Sequence, residues 1–269
     1  MKLNAKAVLG IAVSLLLLWW ALRDVSFAEV AHHVGNADPL LFALAIVVAT
    51  LGLLIRALRW RTLLLPVAPR VPLRPRYAAT CIGFAANNLL PARVGEFARA
   101  YSLSRLTGVP VPAVLASIVV ERIFDGLVII GLLFASMASP AFPATGEVAG
   151  VDPRAAARVL AVGTGAFGIV LFLLAVAPER SVAIVDRVAG RVLPTSFRRP
   201  LVDALHSFLG GLGILRDPRL VAASFLWAVG QWIFLGLSFL LAFHSFGIGH
   251  VSFTGALFLQ SLVSLAVSI

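Results

Sequence analysis

The chain has one cysteine in 269 residues, lysine only at positions 2 and 6, and only 13% charged residues. A lone Cys81, set in an apolar stretch, excludes a disulfide framework and a cysteine-built metal site. The shortage of charge, against 60% hydrophobic residues, excludes an ordinary soluble domain, in which about a quarter of residues are charged. No phosphate-cradling G-x-x-x-x-G-K-[ST] loop occurs, so nothing points to a nucleotide as energy source. His32, His33, His244 and His250 lack carboxylate or thiol company at metal spacing. Neither a metal nor a cofactor is therefore expected. The remaining basic charge is all arginine, a bias from which no mechanism follows. Although the net charge is +10, the basic residues lie between apolar runs and not in one patch. That pattern argues against nucleic acid and for positive loops on the cytoplasmic side of a membrane.

Long apolar runs are what the chain does have. Its length leaves room for roughly six to eight spans of about 20 residues each. Residues 5–22, preceded by Lys2 and Lys6, form the first run. It is too long for a signal-peptide core and lacks a small-residue cleavage site, so it reads as a retained helix with Trp19 and Trp20 as interfacial anchors. A short loop over 23–38 leads to a second helix over about 39–55, which ends in Arg56, Arg59 and Arg61. A basic, proline-broken loop follows. Later spans fall at about 112–138, 155–177, 220–243 and 251–269. Residues 77–90 are apolar but short, a length more typical of re-entrant pieces than of spans. If this segment crosses fully, the arginine-rich stretch 180–219 lies outside; if it dips in over about 77–92 and returns, that stretch is cytoplasmic. The positive-inside rule favours the hairpin. The expected architecture is thus an all-α integral membrane protein, a single polytopic domain over 1–269. It has about six transmembrane helices, one or two re-entrant or interfacial helices and a cytoplasmic N-terminus.

The region 178–219 reads as amphipathic and cytoplasmic. Arg180, Arg187 and Arg191 alternate with apolar residues at helical spacing, which suits a helix lying on the membrane surface. Residues 201–215 form a second such helix, a second re-entrant piece, or a segment whose Gly210, Gly211 and Gly213 serve close helix packing.

Charges stand inside this apolar frame at two places. Asn87-Asn88-Leu89-Leu90-Pro91-Ala92-Arg93-Val94-Gly95-Glu96 is followed by Arg99, and Glu121-Arg122-Ile123-Phe124-Asp125 interrupts the span at 112–138. A charge at membrane depth costs about 2.5–3.5 kcal/mol on insertion scales and marks a functional site by default. Pro91 and Gly95 bracket a break and a new helix start, and broken backbone at that depth must be buried in protein or line a wet cavity. Arg93, Glu96 and Arg99 recur every third residue, and Glu121 and Asp125 share a face four residues apart. Two readings compete. In the first, Arg93 pairs with Glu121 or Asp125, Arg122 pairs with Glu96, and the set only pins helices together. In the second, the arginines grip a phosphate, which guanidinium binds bidentately. Asn87 and Asn88 would then add neutral hydrogen bonds, while the carboxylates balance charge, hold a cationic headgroup or carry protons. Ser117 and Gln231 are polar residues within spans whose ordinary roles are backbone and inter-helix hydrogen bonds.

The pattern N-x-x-x-P-x-R-x-G-E-x-x-R at Asn87, Pro91, Arg93, Gly95, Glu96 and Arg99, with E-R-x-x-D at Glu121, Arg122 and Asp125, resembles the lysylphosphatidylglycerol synthase transmembrane family. The resemblance implies a multi-pass protein of a prokaryotic inner membrane, flippase-like, that moves lipids between leaflets. It also implies a further P-x-x-P-G-G-x-G-x-x-E type segment after the last span, so the C-terminal part of the family domain is expected to be missing. No soluble aminoacyl-transferase domain is seen in this chain, so aminoacyl transfer is not carried over and an enzyme is not the favoured reading. The expected ligand is an anionic or aminoacylated membrane phospholipid held by Asn87, Asn88, Arg93, Glu96, Arg99, Glu121, Arg122 and Asp125, with a separate lipid-synthesising enzyme as a candidate partner. The alternatives are a membrane enzyme acting on a lipid phosphate, for which a P-G-x-S-R-S type segment is lacking, and a non-catalytic scaffold.

Overall fold

The computed structural model describes residues 26–89, 94–139, 153–192 and 194–268, together with Trp19 and Arg23. The expected first span and Arg93 lie outside the described residues. A short helix α1 (Phe27–Gly35), capped by Ser26, replaces the expected loop. It is followed by α2 (Pro39–Leu64), α3 (Leu73–Leu89), α4 (Gly95–Thr107), α5 (Val111–Met137), α6 (Pro153–Val176), α7 (Pro178–Val192), α8 (Thr195–Gly211), a 3₁₀ turn (Leu212–Arg216), α9 (Pro218–Ser245) and α10 (Phe253–Ser268). No strand occurs among the described residues. The protein is an all-α membrane protein.

Helix starts follow their local chemistry. Asp38 accepts hydrogen bonds from the Leu40 and Leu41 amides at 2.9 and 3.0 Å, and Asp217 does the same for Arg219 and Leu220. Each cap is followed by proline, whose missing N–H is harmless in a first turn. The expected end of α2 at residue 55 is corrected: the helix runs on to Leu64. Arginine is a good helix former, no breaker occurs before Pro66, and the last two turns bury Trp60, Leu63 and Leu64 completely.

Helix α5 is the hub, with sixteen of its 27 residues buried. It touches α2, α4, α6, α8, α9 and α10. By contrast α2, α6 and α9, each long and apolar enough to span a membrane, present many large apolar side chains outward, among them Val159, Val162, Phe167, Ile169 and Leu226. Such a surface is stable against lipid and not against water.

Several segments meet at one end of the bundle. A Cβ added at Gly213 would stand 3.2 Å from Pro66, and one at Gly211 would stand 2.5 Å from the Ala113 carbonyl oxygen. Arg216 Nε donates to the Ala175 carbonyl at 2.6 Å. The close of α2, the start of α5 and the close of α6 therefore share that end, and Gly211 serves the tight packing of α8 on α5. At the other end the Asp38 amide donates to the Ser245 carbonyl at 2.8 Å. Helices α3 and α4 run antiparallel, because Gly83 faces Gly95 and Arg99 while Asn87 faces Gly95. At 17 and 13 residues they extend only about 26 and 20 Å.

Candidate functional site

Seven charged side chains from α2, α4 and α5 converge beside the hairpin tip, and they form two layers. The inner layer is sealed. Arg59, fully buried, donates from Nη1 to Asp125 Oδ1 at 2.5 Å and to Gln231 Oε1 at 3.3 Å, and from Nη2 to the Glu121 carbonyl at 3.2 Å. Arg99 donates from Nη1 to Glu121 Oε1 at 3.0 Å, and its Nη2 stands 2.9 Å from Oε2. The Arg99 guanidinium carbon also lies 3.8 Å from the centre of the Trp60 ring, a cation–π contact in a dry setting. Trp60 Nε1 donates to Ser117 Oγ at 3.0 Å, and Ser117 Oγ donates to the Val114 carbonyl at 2.7 Å. Trp232 Nε1 donates to Asp125 Oδ1 at 3.1 Å. A buried charge is tolerated when paired and hydrogen-bonded in this way.

The outer layer faces a cavity of about 550 Å³ lined by Arg56, Asn87, Asn88, Glu96, Arg122 and Asp125 on its polar side and by Phe84, Ile129 and Leu265 among apolar groups. Here contacts are longer and shared. One nitrogen of Arg122 lies 3.2 Å from Glu121, 3.5 Å from Asp125 and 3.6 Å from Glu96, and the side chain is 40% exposed. Arg56 stands 3.4 Å from Glu121 and 3.6 Å from Asp125. Counting both layers, Arg56, Arg59, Arg99 and Arg122 meet Glu96, Glu121 and Asp125. Four guanidiniums against three carboxylates leave one positive charge in excess. At 1.5 Å per residue from Val111, residues 121–125 lie about 15–21 Å into α5.

The hairpin places its own contribution by close approach. A Cβ on Gly95 would run into the Gly83 carbonyl and the Asn87 side chain, and one on Gly83 would come within 2.7 Å of Arg99 Cβ. Asn87 Oδ1 accepts the Gly95 amide at 2.8 Å, satisfying one of the free donors at the start of α4. Asn88 donates to the Phe84 carbonyl of its own helix at 2.8 Å.

Of the residues singled out in the sequence, Asn87, Asn88, Glu96, Arg99, Glu121, Arg122 and Asp125 come together, and Arg93 lies outside the described residues. The expected pairing of Arg122 with Glu96 is present at 3.6 Å. Among the described residues, Glu121 and Asp125 are engaged by Arg56, Arg59, Arg99 and Arg122. Arg56 and Arg59, expected only as the charged end of the second helix, belong to the cluster. The available signal was the absence of any helix breaker between Ile55 and Pro66, which carries both arginines inward. Gln231 makes the inter-helix bond expected of it, with Arg59 as donor. Among the described residues, no group of three or more histidine, cysteine, aspartate or glutamate side chains could hold a metal ion.

The fold and the site define a class: a helical membrane protein with an arginine–carboxylate cluster, largely buried between helices, beside a helical hairpin. The profile described as Lysylphosphatidylglycerol synthase TM region matches residues 7–269, and the chain belongs to that family. It is also similar to a protein named Glycosyltransferase AglD from Haloferax volcanii, 29% identical over 231 residues. That match covers 79% of this chain and 36% of the relative, so the chain spans about a third of the relative's length. No solved structure matches.

Proposed function

We propose that the cavity binds the phosphate of a lipid headgroup and that the protein carries that lipid between leaflets. The observation behind this reading is the outer layer: Arg122 and Arg56 hold no carboxylate closer than 3.2 Å and face a cavity within a cluster of net positive charge. Two guanidiniums a short distance apart match the oxygens of a phosphate monoanion or diester. Asn87 and Asn88 add neutral groups, and Glu96 and Asp125 give a cationic headgroup, such as an aminoacylated one, a place to bind. A phospholipid and a glycosylated lipid phosphate share this chemistry; the relative's name, glycosyltransferase, brings the second into range. A separate enzyme would supply the lipid.

We read the hairpin α3–α4 as re-entrant, entering from the end that carries Arg70, Arg74, Arg105, Arg187 and Arg191 and returning to it. With that arginine-rich end cytoplasmic, the N-terminus is cytoplasmic too, in the inner membrane of a prokaryote.

The test is lipid movement in proteoliposomes holding the full-length protein, with fluorescent phosphatidylglycerol, an aminoacylated phosphatidylglycerol and a glycosylated polyprenyl phosphate as separate arms. Arg122→Gln is expected to slow movement of the accepted lipid by about tenfold, the worth of one charge-assisted hydrogen bond, while the protein melts as wild type. Equal rates for wild type and Arg122→Gln in every arm would overturn the assignment.

A further inference from the structure

A second hollow touches the same arginine from the side. Between α5 and α6 lies a groove of about 430 Å³ lined by Ile123, Val159, Gly163 and Phe167, and it shares Arg122, Leu160 and Thr164 with the charged cavity. The two hollows therefore adjoin, with Arg122, Leu160 and Thr164 lining both. The groove faces outward: Val159 is 72% and Phe167 51% exposed, on a helix that also exposes Val162, Ile169, Val170 and Leu173 and, toward its start, Arg158. Its floor is open because Gly163 has no side chain, and an added Cβ there meets nothing within 4 Å. Close packing does not explain this glycine. Gly126 on α5, by contrast, stands against Thr164, with an added Cβ 3.2 Å away, so the helices touch beside the groove and part at it.

An arginine 40% exposed, about 16 Å along a buried helix and bordering an apolar channel, is poorly placed as helix glue. Hydrocarbon solvates guanidinium badly, and the ion pairs of Arg122 with Glu96, Glu121 and Asp125 all run through one nitrogen, Nη2. A ligand with a phosphate at Arg122 and a hydrocarbon tail leading outward satisfies both sides at once.

We propose that the α5–α6 groove is the lateral entry of the site: a lipid passes its phosphate to Arg122 through this gap, with one acyl chain lying over Gly163 between Val159 and Phe167. This rests on the reading of the cavity as a lipid-phosphate site, and it names the route and the side chains that select a tailed ligand. A soluble phosphate ester would not need the groove.

The test is photolabelling of the full-length protein in vesicles, using phosphatidylglycerol with a diazirine midway along one acyl chain and, as control, diacylglycerol with the same chain. Labelled positions are read by mass spectrometry. The phosphate-bearing probe is expected to label α6 around Gly163 and Phe167 at least fivefold more than the control. Gly163→Trp fills the groove without a steric clash on the backbone and is expected to abolish that excess, while Val162→Trp, on the exposed face of α6, leaves it. Equal labelling by both probes, or labelling unchanged in Gly163→Trp, would overturn the entry route. Lipid movement, measured separately, distinguishes the two readings. Groove labelling without transport refutes the carrier role and keeps the portal; transport without groove labelling refutes the portal alone.

Discussion

The inner and outer halves of the charge cluster use the same two functional groups and differ in almost everything else. Inside, Arg59 and Arg99 meet Asp125 and Glu121 at 2.5–3.0 Å, with Trp232 and Gln231 adding hydrogen bonds and the Trp60 ring lying against Arg99. Outside, Arg56 and Arg122 stand 3.2–3.6 Å from several carboxylates at once and border open volume. Short, buried contacts fix helices; longer contacts, each guanidinium spread over two or three carboxylates, hold the outer arginines less tightly. The helix-glue reading of the sequence suits the inner layer, and the proposed lipid-phosphate site concerns the outer one. The inner pairs hold α2, α4 and α5 in register, and the outer arginines are presented by that frame.

The largest effect should follow from breaking the inner layer. Glu121→Ala leaves Arg99 buried without its partner and deprives Arg56 of its nearest carboxylate. Removing one member of a buried pair typically costs about 3–5 kcal/mol, so this variant should melt far below wild type in detergent, followed by circular dichroism. The double change Arg99→Met with Glu121→Leu removes both charges and should recover most of the loss, since an apolar replacement of a buried pair is often neutral. A Glu121→Ala protein that melts like wild type would erase the distinction between layers.

Next in size is the hairpin, which serves both layers by presenting Arg99 to the inner one and Glu96 and Asn87 to the outer one. Gly95→Ala forces a methyl group against the Gly83 carbonyl and the Asn87 side chain. Overpacking of this kind costs about 1–3 kcal/mol, and here it should also displace Glu96 relative to Arg122. Gly163→Ala, where the space is open, is the matching control and should leave the melting temperature unchanged or raise it slightly, as alanine favours helix. Smaller again is the stability effect of Arg122→Gln or Arg56→Gln. Partly exposed ion pairs contribute about 0–1 kcal/mol, so these variants should unfold nearly as wild type even where lipid movement falls. Strong destabilisation by either would move that arginine into the structural layer.

Much of this arrangement was legible in the residue order. The spans after α2 fall within two residues of their expected limits because apolar runs bounded by proline and capping aspartates leave little choice. That one helix ends near Asn87-Asn88 and another starts at Gly95 was legible from the short apolar run and from Pro91 and Gly95. The reading of 77–92 as a segment that itself dips in and returns did not foresee the antiparallel pair Leu73–Leu89 and Gly95–Thr107. The reach of α2 was not legible either. Arg56, Arg59 and Arg61 look like the charged flank that ends a span, and only their partners on α5 and α9 show that the first two are held inside. Likewise Gln231 and Trp232 gain meaning from residues more than a hundred positions away. The separation of inner from outer charges depends on which face of α5 meets α2 and which meets α6, and no spacing along the chain encodes that choice.

A third arginine–carboxylate pair calibrates the other two. Arg198 on α8 reaches Asp186 on α7 with two hydrogen bonds of 2.6 and 2.5 Å, a better geometry than any contact of Arg122. Both side chains are more than a third exposed, however, and water screens them. The guanidinium of Arg198, through these hydrogen bonds, holds the Asp186 carboxyl below the usual aspartate range. Any stability from this pair is therefore present above the ordinary aspartate pKa of about 3.9 and is lost as the pH falls through the lowered value. Asp186→Asn should leave the melting temperature at pH 7 without resolvable change, and its curve should coincide with wild type in acid once the carboxyl is protonated. A large loss at neutral pH would mean that the α7–α8 pair is held shut by this contact. Distance, and not burial, would then be what separates strong pairs from weak ones in this protein, and the contrast between the two layers of the cluster would need a different physical basis.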